Sequence, residues 1–376
     1  MASEGETVVF RDPASRRDFL ARLGVVAAAT CGAGLSGIAF CAKPPLRKLT
    51  YAVSTADLNV GYPFATLAKG LGYYQQEGLD VDIVPGQSSA TTAQLLLSGH
   101  ADIGLAQPDP VMIQRANNKI PLVSFYAVCR RGTNRFVVNP DSPIQSVHDL
   151  KGKKVGVNDL GSGGVTYLRA RLKEAGMSPN DVQLMTVGYG TPFYEALKNH
   201  NVDAEVSFTG GIARQQMAGY AVRLLPETAD ELTQYSFNLF ATQAFIDKNP
   251  DVIAKLGRAI AMATVFLMTN PEAAVRVFWK QYPDRAPKNL NDPRALQNDL
   301  GIIKAEIREM AADELPLDFQ WGSQDAATFA KIENYLSDAG QIPKPIAPSD
   351  FFTNAFAGQY NQFDHQAIVS QAKNWK

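Results

Sequence analysis

The chain alternates short apolar strands with short helices in two successive blocks, and this alternation limits the folds that it can adopt. In the first block, a helix that begins at Pro63 separates the strand Leu49–Ser54 from the strand Val81–Val84. The second block repeats this order between Phe136 and Leu225. Strands that alternate with helices form mainly parallel sheets with helices on both faces. The sequence therefore predicts an α/β protein.

The last third of the chain begins with one more predicted strand, Phe237–Thr242, and is helical after it. Two α/β blocks followed by helices cannot form one uniform barrel. We therefore expect two lobes, each a mainly parallel sheet flanked by helices, with extra C-terminal helices packed on the first lobe. The apolar residues recur with a helical period and predict four such helices, over Asp251–Thr269, Pro271–Gln281, Pro293–Ala312 and Gln324–Asp338.

The order of these blocks sets the expected boundaries of the lobes. We predict that residues 46–133 form the first part of lobe I, residues 134–236 form lobe II, and residues 237–376 return to lobe I. The chain would then cross between the lobes near Arg130–Arg135 and again near Gln234–Phe240. Two crossings of this kind make a hinge, and a ligand site is expected between the lobes that they join.

The N-terminal segment carries the pattern of an export signal. Paired arginines at 16–17 precede a weakly apolar, uncharged run over 23–40, which is typical of the twin-arginine route. We predict that residues 1–42 direct export to the periplasm. The alternative is a single membrane span, which a run this rich in Gly and Ala would form poorly. Phe40 stands where lipidation of Cys41 needs a small residue, and this disfavours a lipid anchor.

Charge and composition argue against several classes of site and partner. The chain has 36 Lys and Arg against 37 Asp and Glu, a formal net charge of -1, so no nucleic-acid partner is expected. Only Cys129 of the three cysteines lies outside the predicted export signal, which excludes a disulfide framework and a cysteine-rich zinc site. The four histidines are scattered, and no dinucleotide or phosphate-loop motif is present. We predict no metal and no cofactor.

The candidate ligand site consists of the residues that follow the predicted strands, because ligands of open parallel sheets bind beyond the carboxyl ends of the strands. In the first lobe these residues are Ser54, Thr55, Asp57, Tyr62, Gln87, Ser88, Ser89, Gln107 and Asp109. In the second lobe they are Ser162, Gly163, Gly164, Tyr189, Phe208 and Thr209, with Arg135 at the predicted hinge.

Two kinds of chemistry recur among these residues. Ser88-Ser89 and Ser162–Gly164 would present hydroxyls and backbone N–H groups at helix starts, which suit a carboxylate, a sulfonate or nitrate. Tyr62, Tyr189 and Phe208 could supply flat apolar walls. The alternative interpretation is that these serines and glycines only cap helices and form turns.

Several motifs resemble those of a known family. They are GYP at 61–63, AKGLGYY at 68–74, GHADIG at 99–104 and DLKGKKVGV at 149–157. Over about residues 48–280 the chain resembles the solute-binding proteins of ABC importers, in the branch that binds sulfonates, taurine, nitrate and thiamine precursors. The resemblance implies a type II periplasmic binding fold that closes on its ligand and docks on a membrane permease. It also implies ligand contacts from 54–62, 86–89, 107–109 and 162–165.

The expected function is the capture of a small organic anion, either a sulfonate or a carboxylate, for delivery to a permease by a monomeric, non-enzymatic protein. A neutral pyrimidine or thiamine precursor is the alternative ligand. A further alternative is an enzyme of pyrimidine synthesis, since the resemblance extends to such enzymes, which have clustered cysteines and a lysine that holds pyridoxal phosphate. Cys129 alone cannot form that cluster, so a binding protein is favoured.

Overall fold

The computed structural model describes residues 45–226, 233–311, 313–343 and 347–375. The predicted export signal over residues 1–42, which includes Cys41, lies outside the described residues. Residues 45–376 form one compact unit. The predicted fold class is confirmed, because the described residues form two sheets that are flanked by helices.

The first sheet has the order β2-β1-β3-β10-β4. Strands β1, β2 and β3 pair in parallel, whereas β10 is antiparallel to both of its neighbours. The chain therefore returns to the middle of this sheet after it has formed the second one. The strands are β1 (Arg47–Val53), β2 (Leu79–Pro85), β3 (Ile103–Ala106), β4 (Leu122–Cys129) and β10 (Phe237–Thr242).

The helices that connect these strands begin where the sequence favours a helix start. Pro63 and Pro108 each occupy the first helical turn, where a missing N–H is tolerated. Ser88 caps its helix by accepting a hydrogen bond from the Thr91 N–H at 3.3 Å. The helices are α1 (Pro63–Gly70), α2 (Tyr73–Gln76), α3 (Ser89–Leu97) and α4 (Pro108–Asn118).

The second sheet has the order β7-β6-β8-β5-β9. Strand β6 is parallel to β7 and β8, and β5 is antiparallel to β8 and β9. The strands are β5 (Asn134–Val138), β6 (Lys154–Val157), β7 (Gln183–Thr186), β8 (Ala204–Phe208) and β9 (Arg223–Leu224). Its helices are α5 (Gly163–Glu174), α6 (Thr191–Lys198) and α7 (Thr209–Met217).

Most of the remaining helices pack on the side of the first sheet, and α11 also packs against α7 beside the second sheet. The long helix α9 lies against α1 and against two short helices near the C-terminus. It is long and apolar enough to cross a membrane, but 78% of its most apolar stretch is buried, so it serves here as a core helix. These helices are α8 (Gln243–Lys248), α9 (Pro250–Thr269), α10 (Pro271–Gln281), α11 (Pro293–Glu309), α12 (Ala326–Asp338), α13 (Pro348–Phe351), α14 (Ala357–Tyr360) and α15 (His365–Lys373).

The four predicted C-terminal helices are present with small shifts at their ends. The helix predicted over Gln324–Asp338 begins at Ala326, because Asp325 accepts a hydrogen bond from the Thr328 N–H at 3.0 Å and so caps it. The helix predicted over Pro293–Ala312 ends at Glu309. The shortest helices, α2, α13 and α14, have four residues each, too few for an apolar period to be recognised.

Candidate functional site

A narrow cleft lies between the two sheets, beyond the carboxyl ends of the parallel strands. It has a volume of about 30 Å³, and a cavity of roughly 10–15 Å³ by this measure already holds a water. A larger ligand therefore requires the two sheets to move apart and close again. Ten of the predicted site residues line the cleft: Ser54, Tyr62, Ser88, Ser89, Gln107, Ser162, Gly163, Gly164, Tyr189 and Phe208.

The lining of the cleft is polar but uncharged. Among the described residues that line it, two are glycines and the others carry hydroxyl, amide, aromatic or aliphatic side chains, and none is Asp, Glu, Lys, Arg or His. Sequence analysis missed five of them. Asn158 follows directly on β6 and could have been found by the same rule as the others, whereas two lie within β8 and two begin β5 and β10. The missed residues are Asn134, Asn158, Val206, Ser207 and Phe237.

The N-terminus of α5 opens into the cleft. Ser162 is its N-cap residue, but the Ser162 side chain makes no capping hydrogen bond. The first N–H groups of a helix have no partner within the helix. The Gln107 amide packs against this helix start so closely that a Cβ on Gly163 would lie 1.4 Å from the Gln107 Oε1. Glycine is therefore the residue that this closed arrangement accepts at position 163.

The hydroxyls of Ser88, Ser89 and Ser162 differ in the hydrogen bonds that they make. Ser88 is a true helix cap, as described above, and its Oγ also lies 3.0 Å from the Thr91 hydroxyl. Ser89 is buried, and its Oγ accepts a hydrogen bond from the Gln107 N–H at 3.0 Å, which ties α3 to the end of β3. Ser88 thus caps a helix and Ser89 joins α3 to the end of β3, whereas the Ser162 hydroxyl makes no capping hydrogen bond.

This difference predicts opposite effects of two alanine substitutions. We expect Ser88→Ala to lower the free energy of unfolding by about 1 kcal/mol, the usual cost of a lost N-cap. Ser162→Ala should leave the free energy of unfolding nearly unchanged and weaken ligand binding. Urea unfolding and isothermal calorimetry measure the two quantities. Equal losses of stability in both variants would contradict this assignment.

Several predicted site residues instead join the two sides of the cleft. The Tyr189 hydroxyl donates a hydrogen bond to the backbone carbonyl of Gln87 at 2.7 Å. Asp57 forms salt bridges at 2.8 Å with Arg214 on α7 and with Arg285. The Thr55 hydroxyl accepts a hydrogen bond from the Asp57 N–H at 3.0 Å. The structure places Thr55, Asp57 and Gln87 outside the cleft lining. The contacts of Gln87 with Tyr189 and of Asp57 with Arg214 join the two sides of the closed cleft, whereas Thr55 contacts only its neighbour Asp57.

Arg135 and Thr209 lie behind the cleft rather than in it. The Arg135 guanidinium is buried and donates to the backbone carbonyls of Gly132 and Asn134 at 2.7 and 2.8 Å. The Thr209 hydroxyl lies 3.0 Å from Glu309 Oε1, to which it donates. Both side chains thus form hydrogen bonds to other groups of the protein, and neither of them lines the cleft.

Asp109 lies beside the cleft at the start of α4, facing Gly163 and Thr166 of α5. Burial raises the pKa of its carboxyl from 3.8 to about 7, although a hydrogen bond with Thr166 opposes this shift. The folded state therefore binds a proton between about pH 4 and pH 7 that the unfolded state releases. The contribution of Asp109 to stability is present at low pH and is lost as the pH rises through this window.

Asp109→Asn is therefore expected to remove part of the pH dependence of unfolding. Asn mimics the protonated acid, so the variant should match the wild type near pH 4 and exceed it in stability above pH 7. Urea unfolding of both proteins from pH 4 to pH 8 measures this difference. Parallel curves would show that the Asp109 carboxyl is ionised throughout the range.

The one cysteine among the described residues lies away from the cleft. Cys129 is fully buried, and burial, with the nearby Glu306 and Glu309, raises the pKa of its thiol well above its usual range. The thiol is therefore protonated and out of reach of the cleft. Pyridoxal phosphate would need a lysine, and no described residue that lines the cleft is a lysine.

Comparison with known proteins relates the chain both to binding proteins and to enzymes. It is 22% identical over 299 residues to a formylaminopyrimidine-binding protein of Halalkalibacterium halodurans, covering 79% of this chain and 87% of the relative. It is 26% identical over 241 residues to 4-amino-5-hydroxymethyl-2-methylpyrimidine phosphate synthase THI11 of Saccharomyces cerevisiae, covering 60% of this chain and 68% of the relative.

A solved structure shows the same fold. The alkanesulfonate-binding protein SsuA of Xanthomonas axonopodis pv. citri, bound to MOPS, superposes with a TM-score of 0.63 at 15% identity, over 83% of this chain and 99% of that chain. Identity this low supports the fold and not the ligand. A family model described as NMT1/THI5 like matches residues 63–274, and the resemblance noted in the sequence is confirmed: the chain belongs to the NMT1/THI5-like family.

Proposed function

We propose that this protein is the solute-binding component of an ABC importer and that it closes on a small, planar, uncharged heterocycle. The observation that carries this proposal is the uncharged, amide-rich and aromatic lining of the cleft. Binding would stabilise the closed form through contacts to both sheets, and release would follow when a permease favours the open form.

The side chains of the cleft match the needs of a nitrogen heterocycle. Asn158 Nδ2 donates to the Gly188 carbonyl at 2.8 Å, and Asn134 Nδ2 donates to Gln107 Oε1 at 3.4 Å. An amide has two N–H donors and two acceptor lone pairs, so each of these side chains keeps capacity for ring nitrogens and exocyclic amines. Tyr62 and Phe208 provide aromatic surface from opposite sheets, with ring centroids 6.5 Å apart. Their planes are tilted by 48°, so a pyrimidine admitted on opening would stack on one ring and contact the other with its edge. The relative named as a formylaminopyrimidine-binding protein supports the same ligand class.

A small organic anion is the second candidate, and one observation favours it. The positive end of the α5 dipole opens into the cleft beside the uncommitted Ser162 hydroxyl, and helix N-termini bind anions without a charged side chain. The solved relative with this fold holds MOPS, a sulfonate. The predicted sulfonate or carboxylate therefore stays a proposal beside the heterocycle.

The experiment is a binding and turnover assay of the full chain with formylaminopyrimidine and with MOPS. We expect formylaminopyrimidine to raise the free energy of unfolding by about 2.7 kcal/mol at a hundredfold excess over its dissociation constant, with MOPS ineffective. The reverse order would favour the anion. Stabilisation by neither compound would contradict both ligand classes. Conversion of formylaminopyrimidine, detected by mass spectrometry, would contradict a pure binding function.

The export route is part of the same proposal. A periplasmic solute-binding protein must cross the inner membrane, and the arginine pair at 16–17 is the element expected to direct it. Replacing both arginines with lysine should retain the protein in the cytoplasmic fraction. Unchanged export of that variant would contradict the twin-arginine route and leave the binding function intact.

A further inference from the structure

An open groove lies outside the cleft, between α7 beside the second sheet and α11 beside the first. Its volume is about 630 Å³, within the roughly 300–1,000 Å³ that is typical of small-molecule sites. It shares no described residue with the cleft lining. We call it the outer groove and define it by Lys304 and Arg308 on α11, Met217 on α7, and Leu224 at the end of β9.

Unpaired positive charge lies along one wall of the outer groove. Lys304 and Arg308 are four residues apart on α11, so they share one helix face, and both are exposed. Neither forms a salt bridge within the part of the chain that the structure describes. Two like charges at this spacing repel each other, and an anion between them would relieve the repulsion.

The other charged groups of the outer groove already have partners. Arg131 forms salt bridges with Asp313, at 3.8 Å, and with Glu314. Arg135 donates to backbone carbonyls, as described above. Glu309 is buried and accepts the hydrogen bond of Thr209. The charge that is available to a ligand is therefore that of Lys304 and Arg308.

The facing wall of the outer groove is apolar. Met217 and Leu224 are 39% and 38% exposed, among the most exposed large apolar side chains of the described residues. Ile212 and Ala213 on α7, which are both buried, and Ala305 on α11 complete the apolar lining of the groove. A cationic pair beside exposed apolar side chains is complementary to a molecule with an anionic head and an apolar body.

We propose that the outer groove is a second binding site, for an amphipathic organic anion. The carboxylate or sulfonate head would lie between Lys304 and Arg308, and the apolar body would cover Met217 and Leu224. The site is separate from the cleft, so this proposal does not depend on which ligand the cleft takes.

The test uses 8-anilinonaphthalene-1-sulfonate as the probe, with its fluorescence titrated against the full chain. We expect the double variant Lys304→Glu, Arg308→Glu to bind the probe at least about tenfold more weakly, because each cation is lost as a charge-assisted partner. Leu224→Asp should weaken binding as well. The double variant Lys280→Glu, Lys288→Glu, which makes the same charge change on exposed side chains outside the groove, should bind as the wild type does.

Three results would overturn the proposal. The first is unchanged probe binding in the variant Lys304→Glu, Arg308→Glu. The second is an equal loss of probe binding in the control Lys280→Glu, Lys288→Glu, which would indicate nonspecific electrostatic attraction. The third is a loss of probe binding in Ser162→Ala, which would place the probe in the cleft. If the glutamate variant fails to fold, as judged by circular dichroism, Lys304→Gln with Arg308→Gln tests the same contact.

Discussion

Gly163→Ala is expected to weaken ligand binding by tenfold to a hundredfold. The new methyl group would lie 1.4 Å from the Gln107 Oε1 and 2.5 Å from its Cδ. Overpacking of this kind costs typically 1–3 kcal/mol, and every 1.4 kcal/mol is about a tenfold change in affinity. Because the cleft has a volume of only about 30 Å³, we expect the displaced amide to occupy the ligand space or to hold the two sheets apart.

The neighbouring glycine provides the matched control. A Cβ on Gly164 would lie 3.3 Å from Val206 Cγ1, a close contact that a small shift relieves, so Gly164→Ala should bind within about threefold of the wild type. Calorimetry with formylaminopyrimidine and with MOPS measures affinity. Small-angle scattering measures closure without a ligand, and we expect a larger radius of gyration for Gly163→Ala alone. Identical behaviour of the two variants would show that Gln107 does not seal the cleft.

Gly257→Ala is expected to lower the free energy of unfolding by about 2 kcal/mol, the difference between an overpacking cost of about 3 kcal/mol and a gain in helix propensity of about 1 kcal/mol. Gly257 lies in the buried helix α9, and a Cβ there would be 2.2 Å from the Tyr360 ring. That ring is fully buried, and its hydroxyl donates to the Phe125 carbonyl at 2.8 Å, so it has no room to move. The better helix propensity of alanine, about 1 kcal/mol, offsets only part of this cost.

A double-mutant cycle separates the contact from other effects of the substitution. In a Tyr360→Ala background the clash is absent, and Gly257→Ala should then cost nothing or stabilise. Gly358→Ala, at an exposed position with no neighbouring atom within 4 Å, is the control for the change of residue type. Urea unfolding gives all of these free energies. An equal cost of Gly257→Ala in both backgrounds would mean that Tyr360 is not its cause.

The strands and helices were readable from the sequence where a local pattern specifies them. Predicted strands such as Lys154–Asn158 and Ala204–Phe208 coincide with β6 and β8 to within one residue. Long helices such as α9 show a clear apolar period. The short helices and the antiparallel direction of β10 and β5 were not predicted, because a few residues carry no period and strand direction depends on the whole chain path.

The candidate site was found in part, for a similar reason. Residues that directly follow a parallel strand are drawn to one edge of the sheet by topology, and Ser54, Gln107 and Ser162 do line the cleft. Asp57 obeys the same rule, yet Arg214 and Arg285 engage its carboxylate at the edge of the closed form. Those partners are far from Asp57 along the chain, so no local pattern could indicate them.

The sequence by itself determined the order of strands and helices, the family, and the strand ends where a ligand site could form, since each depends on patterns within short stretches of chain. The tertiary structure alone decided that the cleft is uncharged, that Asn134 and Phe237 help to line it, and that Arg135 is bound elsewhere. Those outcomes depend on which side chains meet across the two sheets. Packing and desolvation determine which of these side-chain contacts form, and both act between residues that are distant in sequence.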